Sequence, residues 1–507
     1  MKLNGFVGIL AVLLCMVMTT VADAQDSKLF DDLDAIMAED GKKTEPADLV
    51  PGGSTVGVFL QLFEHSHVEA TGRYAHFNEN KGGPDDDTGE LSLAFNTWTG
   101  QDHWRLHASG WLEAGTQEEM YAGVSHFLRD EDRRRRYFEL NEIYTTFNQG
   151  NLDVTLGRRV MPRDMALVYQ PSYVYHPLDL NVPVEPRTFG LWQISADYAL
   201  GDTLLTAAVL PVFQDPKIPH ITSRWMPFQN ALENELEGTW FKEKLYKDLV
   251  IDDLFSLILY HYWLIFRDDD VLRRLLDTKT LSVRNNLPGG SMDEFGYLAK
   301  FKSSAGLVDF YGSYFFGPSE FPVIRILEDP DTVTLSKENP VVHKVGGGAA
   351  TTWGNFTFHG DGVFSLSPDR EDDSFIRYLV GAGYTAPRLA AALGMQRIDI
   401  MVDYAGETIT SRQDAPGYFF SSEIIRPFKD DLVVRLLIGI TEDLKAAYVT
   451  DQDLRYDSQY HRVGFSYRLY SGLVSEIYME MFDGDYASYV GQWRDNDRVV
   501  VLLRWTL

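Results

Sequence analysis

The chain has 507 residues, 74 of them acidic and 46 basic, for a formal charge of −28. That balance argues against nucleic acid, whose binding needs clustered Lys and Arg, and the single cysteine, Cys15, excludes a disulfide-stapled scaffold. Aromatics make up 13% of the residues, a rich share for a soluble protein.

The first 24 residues read as a cleaved secretory signal: Lys2 opens it, Phe6 to Met18 is nearly all apolar, and Ala22-Asp23-Ala24 fits the small-residue cleavage rule. Leu14 stands where a lipoprotein signal before Cys15 wants a small residue. Residues 25–53 form a separate periplasmic piece. Leu29, Phe30, Leu33, Ile36 and Met37 make one helical stripe, followed by the polar linker GKKTEPADLVPGG. No later run reaches the length of a membrane helix; the longest, Leu254 to Phe266, is about five residues short.

From residue 54 onward the pattern has period two. In HWRLHASGWLEA, Trp104, Leu106, Ala108, Leu112 and Ala114 share a face against Arg105, His107, Ser109 and Glu113. The same design recurs at 152–157, 306–317, 431–440, 461–470 and 476–481, and at 498–507, where Val499, Val501, Leu503, Trp505 and Leu507 oppose Arg498 and Arg504. Such faces suit a sandwich core or a membrane barrel equally. Connection lengths favour the barrel. Short turns at 99–102, 148–150, 201–202, 304–306, 351–354, 387–388, 429–431 and 471–472 alternate with longer polar stretches at 79–88, 116–136, 161–188, 213–293, 318–338, 366–373, 403–415 and 484–495. The expected fold is all-β: a transmembrane antiparallel barrel over 54–507 with about 18 strands (16–20), a short N-terminal helical segment and a partly helical insert at 213–293.

The last strand resembles the C-terminal strand of Gram-negative outer-membrane proteins, although it ends on Leu507 with Trp505 two places earlier. LNEIYTTF (140–147), LGRR (156–159), HPLD (176–179), LPVF (210–213) and SRWMP (223–227) resemble the porin-like family that includes alginate-export barrels. The resemblance implies a passive channel in a Gram-negative outer membrane for anionic polysaccharide or other hydrophilic solutes. It also implies contact with lipid and lipopolysaccharide, and delivery to the barrel-assembly machinery through strand 498–507.

Strand parity makes Arg105, Glu113, Asp153, Arg159, Asp309, Arg435, Arg462, Arg468, Glu476, Glu480, Arg498 and Arg504 the candidate pore-lining residues. They either select solutes by charge or pair across strands to brace the wall. The proline-punctuated, aromatic loop 161–188 folds into the mouth or lies over it as a lid. The insert 213–293 reads as a cap, a plug or a lipid-facing strand pair. Arg133–Arg136 is a solvated charge run or a contact for lipopolysaccharide phosphates. His65 and His67 share a face but fall short of the three or four ligands of a zinc site, and GGG at 346–348 reads as a close-packing or bend site. No nucleophile elbow, phosphate loop or H-E-x-x-H motif is present, so no cofactor, metal or catalytic residue is assigned. The leading function is passive diffusion or export of hydrophilic solutes, anionic ones included. The alternative is a plugged, non-conducting barrel serving as surface receptor or anchor, with a hydrolase a distant third.

Overall fold

The computed structural model describes residues 66–506 apart from 79–85, 118–119, 127, 129, 131, 133, 166–168, 174, 218, 220–222, 226–279, 415–417, 421–425 and 485–487. The expected signal and periplasmic segments, and the helix expected within 213–293, lie outside these residues. Alternation every second residue places one face of each strand toward lipid and the other toward a lumen. Eighteen strands do this: β1 (Ser66–Phe77), β2 (Asp87–Gln101), β3 (Trp104–Gly115), β4 (Phe138–Gln149), β5 (Leu152–Arg159), β6 (Leu191–Leu200), β7 (Thr203–Leu210), β8 (Gly296–Ala305), β9 (Val308–Pro318), β10 (Val341–Trp353), β11 (Phe356–Leu366), β12 (Ser374–Thr385), β13 (Arg397–Ser411), β14 (Asp430–Gly439), β15 (Leu444–Asp453), β16 (Ser458–Tyr470), β17 (Leu473–Asp483) and β18 (Arg498–Thr506). Each pairs antiparallel with its sequence neighbour, and β1 pairs with β18 from Glu69↔Thr506 to Phe77↔Arg498, so the sheet closes without an edge. Closure satisfies every ladder in hydrocarbon, where an open edge would leave backbone groups unbonded.

The outward face is apolar and exposed at Leu91, Leu106, Leu156, Ile194, Val345, Val380, Val463, Ile477 and Leu503. Toward the short-turn end it carries Trp98, Trp104, Trp353, Phe356, Tyr384, Tyr467 and Tyr470, a band of rings suited to a membrane–water boundary. The polar faces point inward and are largely buried: Glu113, Lys344, Asp361, Arg377, Asp403, Arg435, Glu476, Glu480, Arg498 and Arg504 are each 5% exposed or less. A barrel of 18 strands is wide enough to leave an aqueous lumen unless other chain segments fill it.

The expected strand count holds with one turn misplaced. Residues 429–431 do not turn: Asp430 and Asp431 open β14, and the short connection is 440–443, where Ile440 and Thr441 amides bond the Leu444 carbonyl. The expected loop 403–415 is accordingly the end of β13 up to Ser411. At 387–388 the chain forms α1 (Pro387–Leu393) in place of a tight turn, with Pro at the start of the helix and Gly394 (φ 68°) closing it in the left-handed region. The stretch 318–338 is not plain loop. Strands Val323–Glu328 and Thr332–Glu338 join Thr280–Asn286 and Tyr418–Phe420 in a four-stranded sheet beyond the long-loop end. Loop segregation is also less strict than expected, since β15 and β16 meet through only 454–457 on the long-loop side.

Candidate functional site: a strap across the lumen

The connection 160–190 leaves β5 at the long-loop end and runs inside the wall. Five prolines between 162 and 186 stiffen it. One attachment lies on β9–β11. There the Ser172 amide donates to Asp361 Oδ1 at 2.7 Å and its hydroxyl to Oδ2 at 2.8 Å. Gln170 Nε2 donates to the Tyr311 hydroxyl at 2.8 Å. Between those strands β10 contributes Gly346 and Gly348. A Cβ at Gly346 would lie 2.7 Å from the Ser172 Cβ, and one at Gly348 2.8 Å from the Tyr311 ring. The glycine run is therefore a close-packing site that admits the strap. Beside it, Lys300 of β8 donates to the Tyr175 hydroxyl at 3.1 Å and pairs with Asp164 at 2.7 Å.

The second attachment is Glu185, in the turn closed by its amide to the Val182 carbonyl at 2.9 Å. Its Oε1 accepts from Arg73 Nη2 at 2.6 Å, the Tyr478 hydroxyl at 2.9 Å and Arg498 Nη2 at 3.3 Å, with Arg462 Nη1 at 3.9 Å. Tyr478 in turn accepts from Arg73 at 3.0 Å and lies under the Arg462 guanidinium, 3.8 Å from its ring centroid. Glu480 joins from the wall, paired with Arg498 and 3.7 Å from Arg462, and accepts from the Tyr460 hydroxyl at 2.6 Å. Burial works against the Glu185 charge, but Arg73, Arg498 and Arg462 outweigh it and hold the carboxyl well below its ordinary range. These partners sit on β1, β16, β17 and β18, whereas Ser172 is held on β9–β11; β10 and β1 are nine places apart in a ring of 18. The strap thus crosses the lumen from wall to opposite wall.

Further ties flank the crossing. Arg187 pairs with Glu113 of β3 and, at 3.1 Å, with Glu90 of β2; Arg135 from the 116–137 connection reaches Glu113 and Asp179 at 2.9 Å each. At the base of the strap the Met161 amide donates to His176 Nε2 at 3.1 Å, so Nδ1 carries the proton and donates to the Phe189 carbonyl at 3.0 Å. Burial pushes the His176 imidazole down to about 3. A small cavity of about 40 Å³ opens beside the Glu185 attachment, lined among others by Arg73, Arg498, Glu90, Tyr121, Val182 and Trp225.

Of the candidate pore residues, Arg462 and Arg498 converge on Glu185, and Glu480 pairs with both arginines. Glu476 and Arg504 face one another at 3.9 Å nearer the turn end. Glu113 meets Arg187 and Arg135, Arg435 pairs with Asp403, and Arg159 lies 3.7 Å from Asp197. Asp153 accepts from Asn148 beside a short turn. Arg105, Asp309 and Arg468 face inward by parity but lie exposed at the turn end, where Asp309 accepts from Ser304 and Arg468 stands 4.0 Å from Asp443. The arginine run divides. Arg134 is 41% exposed on Asp132, but Arg135 and Arg136 are buried on internal carboxylates and are not free for a surface contact.

The residues missed in sequence are Arg73, Glu185, Tyr478, Arg158 and the Ser172–Asp361 pair. Arg73 sits in the alternation of GRYAHF, which gives it an inward face. Arg158 reaches Glu139 at 3.1 Å because Gly157 at φ 135° breaks the alternation of β5. Glu185 carries no periodic signal.

The fold and lumen define a closed transmembrane β-barrel with an infolded loop. Among solved structures the chain is similar to OccK5 (OpdH) of Pseudomonas aeruginosa (12% identity, 87% of this chain and 97% of that chain, TM-score 0.44) and OccAB1 of Acinetobacter baumannii (10%, 87% and 96%, 0.43). It is also similar to Pseudomonas aeruginosa OpdK, solved with vanillate (9%, 88% and 99%, 0.42). No protein-family model and no curated protein sequence matches the chain. The barrel assignment rests on the strand pairing.

Proposed function

We propose that the chain is an outer-membrane channel for passive diffusion or export of hydrophilic solutes, anionic ones included, in a Gram-negative envelope. One observation carries the reading: a closed barrel with an apolar exterior has a charged interior and one loop drawn across its lumen, which is the arrangement that sets the size and charge of what passes. Glu113, Asp153, Arg159, Arg435, Arg462, Glu476, Glu480, Arg498 and Arg504, with Arg73 added, line the path, while Arg105, Asp309 and Arg468 stand at its turn-end entrance. Arginines outnumber free carboxylates where the strap meets β16–β18 and β1, and that favours anions locally although the whole chain is acidic. Export through residues 1–24, assembly through strand 498–507 and contact with lipid and lipopolysaccharide belong to the same reading.

Planar-bilayer recording of the refolded protein tests it. Stable unitary steps with a reversal potential favouring anions are expected. A folded, heat-modifiable barrel that never conducts overturns the channel and leaves the plugged receptor or anchor. That second reading is favoured by the strap itself, which is pinned on both walls.

A further inference from the structure

The Glu185 attachment has the composition of an oxyanion receptor. Three guanidiniums and a phenol from four wall strands aim at one carboxylate oxygen, and the carboxylate arrives from a separate loop. Charge-assisted contacts of this kind recognise a carboxylate by shape and charge, whatever molecule bears it. Counting Arg73, Arg462 and Arg498 against Glu185 and Glu480, the cluster carries one net positive charge with Glu185 in place and two without it. The receptor groups are more deeply buried than their occupant, with Arg73 at 11% and Arg498 at 3% side-chain exposure against 25% for Glu185. Arg73 and Arg498 also border the small cavity of about 40 Å³, as does Val182 at the start of the Glu185 turn. An oxyanion entering from that cavity meets two of the guanidiniums that Glu185 occupies, Arg73 and Arg498.

We propose that Arg73, Arg462, Arg498 and Tyr478 form a carboxylate-binding site on the transit path, that Glu185 fills it as an internal competitor, and that a carboxylate solute displaces Glu185 and frees that end of the strap. The proposal rests on the channel reading for its role in transit, but the displacement itself is measurable without current. No bond is made or broken; one carboxylate exchanges for another on the same donors. Glu185 is then a specificity-determining residue, since a neutral solute has nothing to offer the arginines and leaves the strap in place.

The test places a reporter thiol on the strap. Val182 is 5% exposed, so V182C in a Cys15→Ala background reacts slowly with a water-soluble maleimide while the strap is docked. Acetate replacing chloride at constant ionic strength is expected to speed labelling about tenfold and to saturate, within the usual range of coupling between sites, with phosphate as a second arm that distinguishes a general oxyanion site from one fitted to carboxylates. Added Glu185→Gln should label fast in chloride alone. Arg73→Gln with Glu185→Gln keeps the cluster charge at plus one; it should label fast and ignore acetate, and it guards against misfolding of the single variant. Equal rates for the parent and Glu185→Gln, or no difference between acetate and chloride, overturn the latch. Bilayer current recorded on the same proteins separates the two readings. Acetate-dependent labelling without current sinks the channel and leaves the binding site, whereas current without acetate-dependent labelling does the reverse.

Discussion

The two attachments of the strap hold the same loop by different physics. At β9–β11 the contact is a carboxylate receiving one amide and one hydroxyl, seated where Gly346 leaves no room for a methyl group. At β16–β18 and β1 it is a cluster of five charges around one oxygen and one phenol. A contact made of shape tolerates salt and fails when a carbon is added. A contact made of charge tolerates small changes of shape and fails when one partner is removed, because the charge left behind is buried. A loop anchored in both ways has one end that a solute ion can compete for and one end that it cannot.

The largest effect is expected from Arg498→Ala. The change leaves Glu480, with a side chain 0% exposed, with the Tyr460 hydroxyl and the more distant Arg462 in place of its close cation, and removes a donor from Glu185. The loss of stability is expected at about 3–5 kcal/mol, read by guanidinium unfolding in lipid vesicles. A change under about 1 kcal/mol would mean that the cluster does not hold the wall.

Acid separates the attachments next. Detached and hydrated, His176 takes a proton near its ordinary 6.5; docked, it resists until about 3. Its folded value is depressed, so docking is unaffected above pH 6.5 and weakens steadily as pH falls from 6.5 toward 3. At pH 5 the penalty is about 2 kcal/mol. Glu185, also depressed, behaves as a carboxylate does: its contribution is complete above its ordinary 4.5 and is lost only as pH falls below that. Between pH 6.5 and 5 the acid effect therefore reports His176 and not the arginine cluster. V182C labelling should accelerate over that interval, and His176→Asn should flatten the slope. An unchanged slope would place the acid sensitivity elsewhere.

The shape-dependent end should respond to single carbons. Gly346→Ala forces a Cβ within 2.7 Å of Ser172 and 2.9 Å of Ser313 Oγ, an overpacking that costs about 1–3 kcal/mol. Gly360→Ala, with nothing nearer than 3.6 Å, is the silent control. Ser172→Ala removes the hydroxyl donor from Asp361 but keeps the amide, so about 1 kcal/mol is expected, measured by the same unfolding curves. If Gly346→Ala is as silent as Gly360→Ala, the strap is not seated on β10.

The barrel was legible because period two survives over most of each strand, broken locally as at Gly157 of β5, and lipid imposes it from outside while the lumen imposes it from inside. One turn was lost because KDD and TED are equally polar. Only the pairing of Arg397↔Gly439 and Gly439↔Lys445 fixes which run folds back. Parity gave the direction of Arg462, Glu480 and Arg498 but not their height, so Arg105, Asp309 and Arg468 entered the same set although they sit at the turn end. Glu185 was illegible for a different reason. A loop residue acquires its partners from strands more than a hundred residues before it and nearly three hundred after it, and nothing in VPVEP announces them. The prolines around it signalled stiffness, and stiffness was the one part of the site the sequence could express.

The turn-end arginines offer the smallest effect and the sharpest contrast with the arginine cluster. Arg105 is exposed, and Arg468 keeps 42% of its side chain in solvent with Asp443 at the 4.0 Å limit of an ion pair. Exposed pairs of this kind contribute about 0–1 kcal/mol and are screened within about 8 Å at physiological salt. Arg105→Ala and Arg468→Ala should therefore leave unfolding within about 0.5 kcal/mol of the parent. Their influence is on ions entering from the turn side, so each should shift the reversal potential slightly toward cations at low salt and not at all at high salt. Arg498→Ala should shift it at both, because its partners are buried where counterions do not reach. A turn-end variant whose effect persists in high salt would show that the selective step lies at the entrance and not at the strap.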